Sequence, residues 1–127
     1  MRSIVTGGGG FIGSHLCERL LRLGHEVTVI DNFLIGKRKN LETIKNKISI
    51  INADIRDYKK IVNYFKKTDN VFHLAALADI VPSIEKPNDY FSTNVSGTFN
   101  VLQASIENKI KRFIYSASSS CYGVPKQ

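Results

Sequence analysis

Four consecutive glycines, Gly7 to Gly10, stand between an apolar segment ending in Ile4 and Val5 and a stretch in which Phe11, Ile12, Leu16, Leu20 and Leu23 recur at helical spacing. Strand, glycine turn and helix in that order leave few folds open. Two glycine patterns overlap here, Gly8-x-Gly10-x-x-Gly13 and Gly7-x-x-Gly10-x-x-Gly13. Each glycine has a physical task. One takes a positive φ in the tight turn. One leaves no Cβ between backbone and ligand, and Gly13 lets the helix pack close to the strand. The helix start then offers unpaired N–H groups and a positive dipole end to a pyrophosphate. The stretch reads as a dinucleotide-binding turn.

The rest of the chain alternates strand and helix. Strands are predicted over residues 26–30, 48–52, 70–74 and 112–116. Helices are predicted over residues 58–67, N-capped by Asp57, and 88–108, with a short one over 41–47. In the long helix, Tyr90, Phe91, Val95, Phe99, Leu102 and Ile106 form an apolar stripe. Alternation of this kind predicts an α/β fold, a Rossmann-type doubly wound parallel sheet in the order 3-2-1-4-5, with ligands beyond the carboxyl ends of the strands. Asp31 closes the second strand about twenty residues past the glycines, where a carboxylate accepts from both adenosine ribose hydroxyls. An acid at that point disfavours a 2′-phosphate, so NAD is expected over NADP. The small residues Ala75 and Ala76 follow the fourth strand and permit close approach of a ligand. His73 reads as a core histidine at a strand end.

Composition excludes several classes. With 127 residues and 43% hydrophobic content, the chain fits one domain over residues 1–127 with a real core. No apolar run is long enough to span a membrane, and the N-terminal apolar segment is too short for a signal peptide. Cys17 and Cys121 have no metal-like spacing; both read as reduced thiols of a cytoplasmic protein, and no metal is expected. The formal charge of +7 is scattered over residues 37–39, 59–60, 66–67 and 109–112, which reads as solvated helix faces and not as a nucleic-acid groove.

Six motifs in the right order carry a resemblance over nearly the whole chain. They are Thr6-Gly7-x-x-Gly10-Phe11-Ile12-Gly13-Ser14-His15-Leu16, Asp31-Asn32, Asp54-Ile55, His73-Leu74-Ala75-Ala76, Asn94-Val95-x-Gly97-Thr98, and Ser116-Ala-Ser-Ser-Ser-x-Tyr122-Gly123. Together they resemble the extended short-chain dehydrogenase/reductases, specifically the NAD-dependent nucleotide-sugar epimerases and dehydratases. The resemblance implies that Gly7, Gly10, Phe11, Ile12 and Gly13 hold the pyrophosphate and that Asp31 and Asn32 hold the ribose. It implies further that Asp54 and Ile55 meet adenine, that Leu74, Ala75 and Ala76 line the other side of the cofactor, and that Asn94 and Ser116 complete that set. Ser118 matches the catalytic Ser/Thr that hydrogen-bonds the sugar hydroxyl being oxidised.

In the family, that residue works with a Tyr-x-x-x-Lys pair. Tyr122 and Lys126 fit the spacing, but Pro125 breaks the helix that would stack them, and Tyr122 matches the separate Tyr-Gly motif. The pair and the sugar-nucleotide domain are therefore expected beyond Gln127, and the 127 residues alone are expected to be inactive. Ser119 and Ser120 stand where dehydratases carry Asp-Glu and decarboxylating relatives keep a Glu. Hydroxyls do not act as carboxylate bases near neutral pH. This favours a 4-epimerase acting on a UDP-hexose or UDP-N-acetylhexosamine. A nucleotide-sugar dehydratase and a non-catalytic NAD-binding module of the same fold remain alternatives. Homo-oligomers are expected, through the apolar stripe of the long helix or the edge strand over residues 112–116.

Overall fold

Ile4 and Val5 point to opposite faces of the first strand, and each is the centre of a separate core. The computed structural model describes residues 1–123. Within them β1 (Arg2–Thr6), β2 (Glu26–Asp31), β3 (Ser49–Asn52), β4 (Asn70–His73) and β5 (Arg112–Tyr115) form one parallel sheet in the order β3-β2-β1-β4-β5. This is the expected order. The register sets Thr6 beside Ile30 and His73, and Asp31 beside Asn52, so the strand ends lie along one edge.

Helix α1 (Phe11–Arg22) covers one face. There Val5, Val27 and Val29 pack with Cys17, Leu20, Leu41 and Ile44. The short α2 (Tyr58–Ile61) and α5 (Thr98–Glu107) cover the other, where Ile4, Ile30 and Val71 pack with Ile61, Phe65, Val101 and Ala104. The apolar residues of β1 and β2 face both ways, Ile4 and Ile30 into one core and Val5, Val27 and Val29 into the other, as strands covered on both faces require. At the sheet's edge, β5 leaves Ile114 and Tyr115 exposed.

The structure corrects several local expectations. In α1, Phe11 is 79% exposed, and Ile12 and Leu23 also face outward. The buried face is Gly13, Ser14, Cys17 and the expected Leu20. The first turn packs so close to the glycine turn that a Cβ on Gly13 would lie 2.3 Å from the Gly7 carbonyl oxygen, which leaves no room there for a large side chain. Residues 58–67 form one α-turn and then a 3-10 turn over Val62–Phe65, with the Asp57 side chain accepting from the Lys60 N–H as a cap. Two 3-10 turns, Arg38–Leu41 and Lys45–Lys47, occupy the place of the short helix. The long helix is composite: α4 (Pro87–Phe91), a π-helical stretch Ser92–Gly97, then α5, preceded by the unforeseen α3 (Ile80–Glu85). Its apolar stripe is exposed apart from the half-buried Tyr90, and Gly97, Val101, Ala104 and Ser105 are its buried face.

Candidate functional site

The glycine turn closes on itself through the Gly10 N–H to the Gly7 carbonyl at 3.1 Å, while the Gly7 N–H donates to the Ile30 carbonyl at 2.9 Å. Gly7 has φ +70, and a Cβ on it would lie 2.7 Å from the Ala75 nitrogen. A Cβ on Gly13 would lie 2.3 Å from the Gly7 carbonyl oxygen. Gly10 differs: its only close neighbour would be that same oxygen at 3.2 Å, and its open side is the cleft. Gly10 also N-caps α1 with no side-chain cap, and the first turn carries no acid. The helix's first N–H groups and its positive end are thus left for an anion. Of the two overlapping patterns, Gly7 and Gly10 line the cleft, Gly13 packs behind them on the Gly7 carbonyl, and Gly8 is packed against Val29.

Asp31 ends β2 and, as a residue, is 8% exposed. Its Oδ2 accepts the Gly9 N–H at 2.8 Å and its Oδ1 the Phe33 N–H at 2.7 Å. Each oxygen keeps a second acceptor position. The Gly9 carbonyl in turn accepts from the Asn40 side chain at 2.8 Å and the Lys37 N–H at 2.9 Å. Residues 32–40 therefore fold back over the glycine turn, and Arg38 stacks on the Phe33 ring at 4.2 Å.

Asp54 follows β3. Its carboxylate accepts from Asn32 and from Arg56, and the Arg56 side chain holds its pKa down at about 2. Ala75 N–H donates to the Thr6 hydroxyl at 3.3 Å, fixing the chain past β4 beside Gly7. That hydroxyl lies 2.6 Å from His73 Nδ1, and His73 Nε2 lies 2.9 Å from the Thr98 hydroxyl. A neutral ring protonated on Nε2 satisfies every partner. Burial alone lowers the His73 pKa to about 4, which suits the expected core histidine.

One cleft at the carboxyl edge brings together Gly7, Gly10, Asp31, Asn32, Asp54, Ile55, Leu74, Ala75 and Ala76. An adjoining cavity is lined by Ala75, Ala76, Asn94, Thr98, Tyr115, Ser116 and Ser118. Asn94 clamps the intervening loop: its Oδ1 accepts the Leu77 N–H at 2.9 Å and its Nδ2 donates to the Leu77 carbonyl at 2.8 Å. The Phe11 and Ile12 side chains lie outside both cavities, and Gly13 is buried behind the turn. Tyr122 is 88% exposed; Pro125 and Lys126 lie outside the described residues.

Sequence reasoning missed Leu34, Ile35, Gly36 and Thr93 in the first cleft. In the structure a Cβ on Gly36 would press the Gly9 carbonyl carbon at 2.9 Å, a close approach that the sequence shows only as a glycine within a polar loop. Thr93 had no readable signal, because the π-helical stretch that turns it inward leaves no periodic trace. Among the described residues no group of three His, Cys, Asp or Glu side chains could hold a metal, and no helix is long and apolar enough to cross a membrane. Cys17 and Cys121 are both free.

The family model described as "NAD dependent epimerase/dehydratase family" matches residues 3–127. The UDP-N-acetyl-alpha-D-glucosaminuronate decarboxylase of Bacillus cytotoxicus is 43% identical over 122 residues, covering 96% of this chain and 38% of that protein. The UDP-glucose 4-epimerase of Klebsiella pneumoniae is 36% identical, over 97% of this chain and 93% of that sequence. Among solved structures, the UDP-glucose 4-epimerase of Stenotrophomonas maltophila with bound NAD and formylated UDP-arabinopyranose superposes with a TM-score of 0.92 at 32% identity, over all of this chain and 40% of that one. The chain thus spans about two-fifths of the length of most relatives it matches.

Proposed function

The chain belongs to the NAD dependent epimerase/dehydratase family, and from that premise we propose that its cleft is the NAD-binding part of a UDP-sugar 4-epimerase. One observation carries the reading: the uncapped start of α1, the buried Asp31 and the Asp54–Ile55 turn face a single cleft at the ends of β1, β2, β3 and β4.

The residues present fit a dinucleotide. Gly10 and the first N–H groups of α1 receive the pyrophosphate, and no Cβ intrudes. Asp31 takes ribose hydroxyls on the acceptor positions that Gly9 and Phe33 leave open, with Asn32 at its rim. Asp54 and Ile55 bound the purine. Leu74, Ala75 and Ala76 line the path toward the second cavity. When bound, NAD supplies a hydride acceptor and, on the return step, a hydride donor. Ser118 lies at the second cavity, where its hydroxyl orients a sugar hydroxyl; Asn94 and Ser116 shape the same space. Asn94 acts there by holding the Leu77 backbone.

The B. cytotoxicus relative supports a second reading, decarboxylation of a UDP-sugar acid. Ser119 and Ser120 weigh against it, since neither supplies a carboxylate. We place the protein in the cytoplasm on its two free thiols. We infer that the 127 residues alone bind cofactor without turning over substrate, because the sequence sets Pro125, a helix breaker, between Tyr122 and Lys126. An assay of the purified chain with NAD and UDP-glucose, UDP-N-acetylglucosamine or the corresponding uronic acid tests this. Epimerised product abolished by Tyr122→Phe would make Tyr122 the base, and released carbon dioxide would favour the second reading.

A further inference from the structure

Asp54 reaches the purine end of the cleft with its acceptor positions already taken. Oδ1 accepts the Arg56 backbone N–H at 2.9 Å and the Arg56 Nε–H at 3.0 Å. Oδ2 accepts from Arg56 Nη2 at 2.8 Å and from Asn32 Nδ2 at 2.9 Å. A carboxylate offers about four lone-pair sites. An adenine amine is a fifth donor, so one of the present four must yield.

The four are unequal. Arg56 grips both oxygens with a planar fork and adds its own main-chain N–H, a charge-assisted geometry that fixes orientation as well as position. Its backbone is anchored from the far side. Asn100 on α5 donates Nδ2 to the Ile55 carbonyl and to the Arg56 carbonyl, both at 3.0 Å. The remaining guanidinium nitrogen, Nη1, reaches the Ser92 hydroxyl at 3.4 Å on the π-helical stretch beside Thr93. Asn32 contributes a single hydrogen bond from a neutral donor on an exposed side chain. Arg56 itself does not line the cleft, so whatever it does for a ligand it does through Asp54.

We propose that Arg56 is the positioning residue for base recognition: its fork holds the Asp54 carboxylate so that Oδ2 meets the exocyclic amine of adenine, and Asn32 gives up that oxygen when the purine enters. The inference rests on the NAD reading of the cleft. Without the fork, the carboxylate turns about its terminal bond and no longer distinguishes an amine from a carbonyl at the purine 6-position.

Calorimetric titration of the chain with NAD and with nicotinamide hypoxanthine dinucleotide, which carries a 6-oxo group in place of the amine, measures that distinction. Wild type should prefer NAD by about tenfold or more, as expected for a hydrogen bond to a charged acceptor. Arg56→Ala should bring the two affinities within about threefold of each other. Arg56→Lys should do the same, since an ammonium is not a fork; it carries the test if Arg56→Ala does not fold. A wild-type ratio in either folded Arg56 variant overturns the proposal. So does equal binding of both dinucleotides by wild type, which leaves the NAD reading standing. Binding of neither by wild type removes the NAD reading and this inference with it.

Discussion

The Gly9 N–H donates to Asp31 Oδ2 at 2.8 Å, so the acid that ends β2 is aimed by the turn that ends β1. With the Phe33 N–H on the other oxygen, the carboxylate serves as an acceptor for two backbone donors before any ligand arrives. Asp31→Asn turns one acceptor into an N–H₂ facing an N–H. The expected cost is about 1–3 kcal/mol, that of a buried donor left unsatisfied. Urea denaturation measures it; an unchanged midpoint and slope would show that the two hydrogen bonds do not hold the turn.

Gly13 and Gly10 should separate stability from binding. Gly13→Ala pushes a Cβ to 2.3 Å from the Gly7 carbonyl oxygen, and backbone must move. Overpacking of this kind costs about 1–3 kcal/mol, partly offset by up to about 1 kcal/mol of better helix propensity. Gly10→Ala meets only that oxygen at 3.2 Å and points into the cleft. It should change thermal stability little and weaken dinucleotide binding about tenfold or more. Melting curves and titrations of both variants check the contrast; equal effects on both properties would contradict it.

The buried His73 sets a pH limit on stability. Its pKa is lowered to about 4 in the fold by burial, against an ordinary value of 6.5. Between those values the unfolded chain binds the proton and the folded chain does not, so stability falls as pH drops from 6.5 to 4. Above 6.5 the group has no effect. The slope should approach about 1.4 kcal/mol per pH unit. Asp54, held at about 2 by Arg56, adds loss only below its ordinary value of 3.8. Chemical denaturation across pH 4–7 checks this; a flat profile, or one that His73→Gln leaves unaltered, would contradict it.

What the sequence makes legible is mostly local or periodic. The glycine turn, Asp31 and the Asp57 cap each depend on a few neighbouring residues, and the alternation of β-branched and helical segments yields the strand order. Helix faces are less legible. Close packing of α1 on β1 buries Gly13, Ser14 and Cys17 and turns the large Phe11 outward, the reverse of what hydropathy alone suggests. Pro82 suggests a break, yet it falls in the first turn of α3, where a missing N–H costs nothing. The π-helical stretch Ser92–Gly97 and the Arg56 fork on Asp54 depend on tertiary contacts with no fixed spacing.

Phe91, Val95, Phe99, Leu102 and Ile106 form an exposed apolar stripe on the composite helix. An apolar face of this kind favours association between copies. Light scattering over a concentration series should show mass rising above that of a monomer. Phe99→Glu, at a position 62% exposed, should return it to monomer without unfolding. A strictly monomeric wild type at high concentration would contradict the reading.

The cleft between the glycine turn and Asp31 is where we propose that NAD binds. The buried Asp31 would repel a 2′-phosphate on a ribose bound beside it, and the nearby Arg38 lies over the Phe33 ring. Titration calorimetry of the wild-type chain with NAD and NADP is the most direct test. The account predicts saturable binding of NAD with NADP weaker by about tenfold or more, and loss of that preference in Asp31→Ala. Equal affinity, a reversed preference, or no binding of either dinucleotide would contradict it.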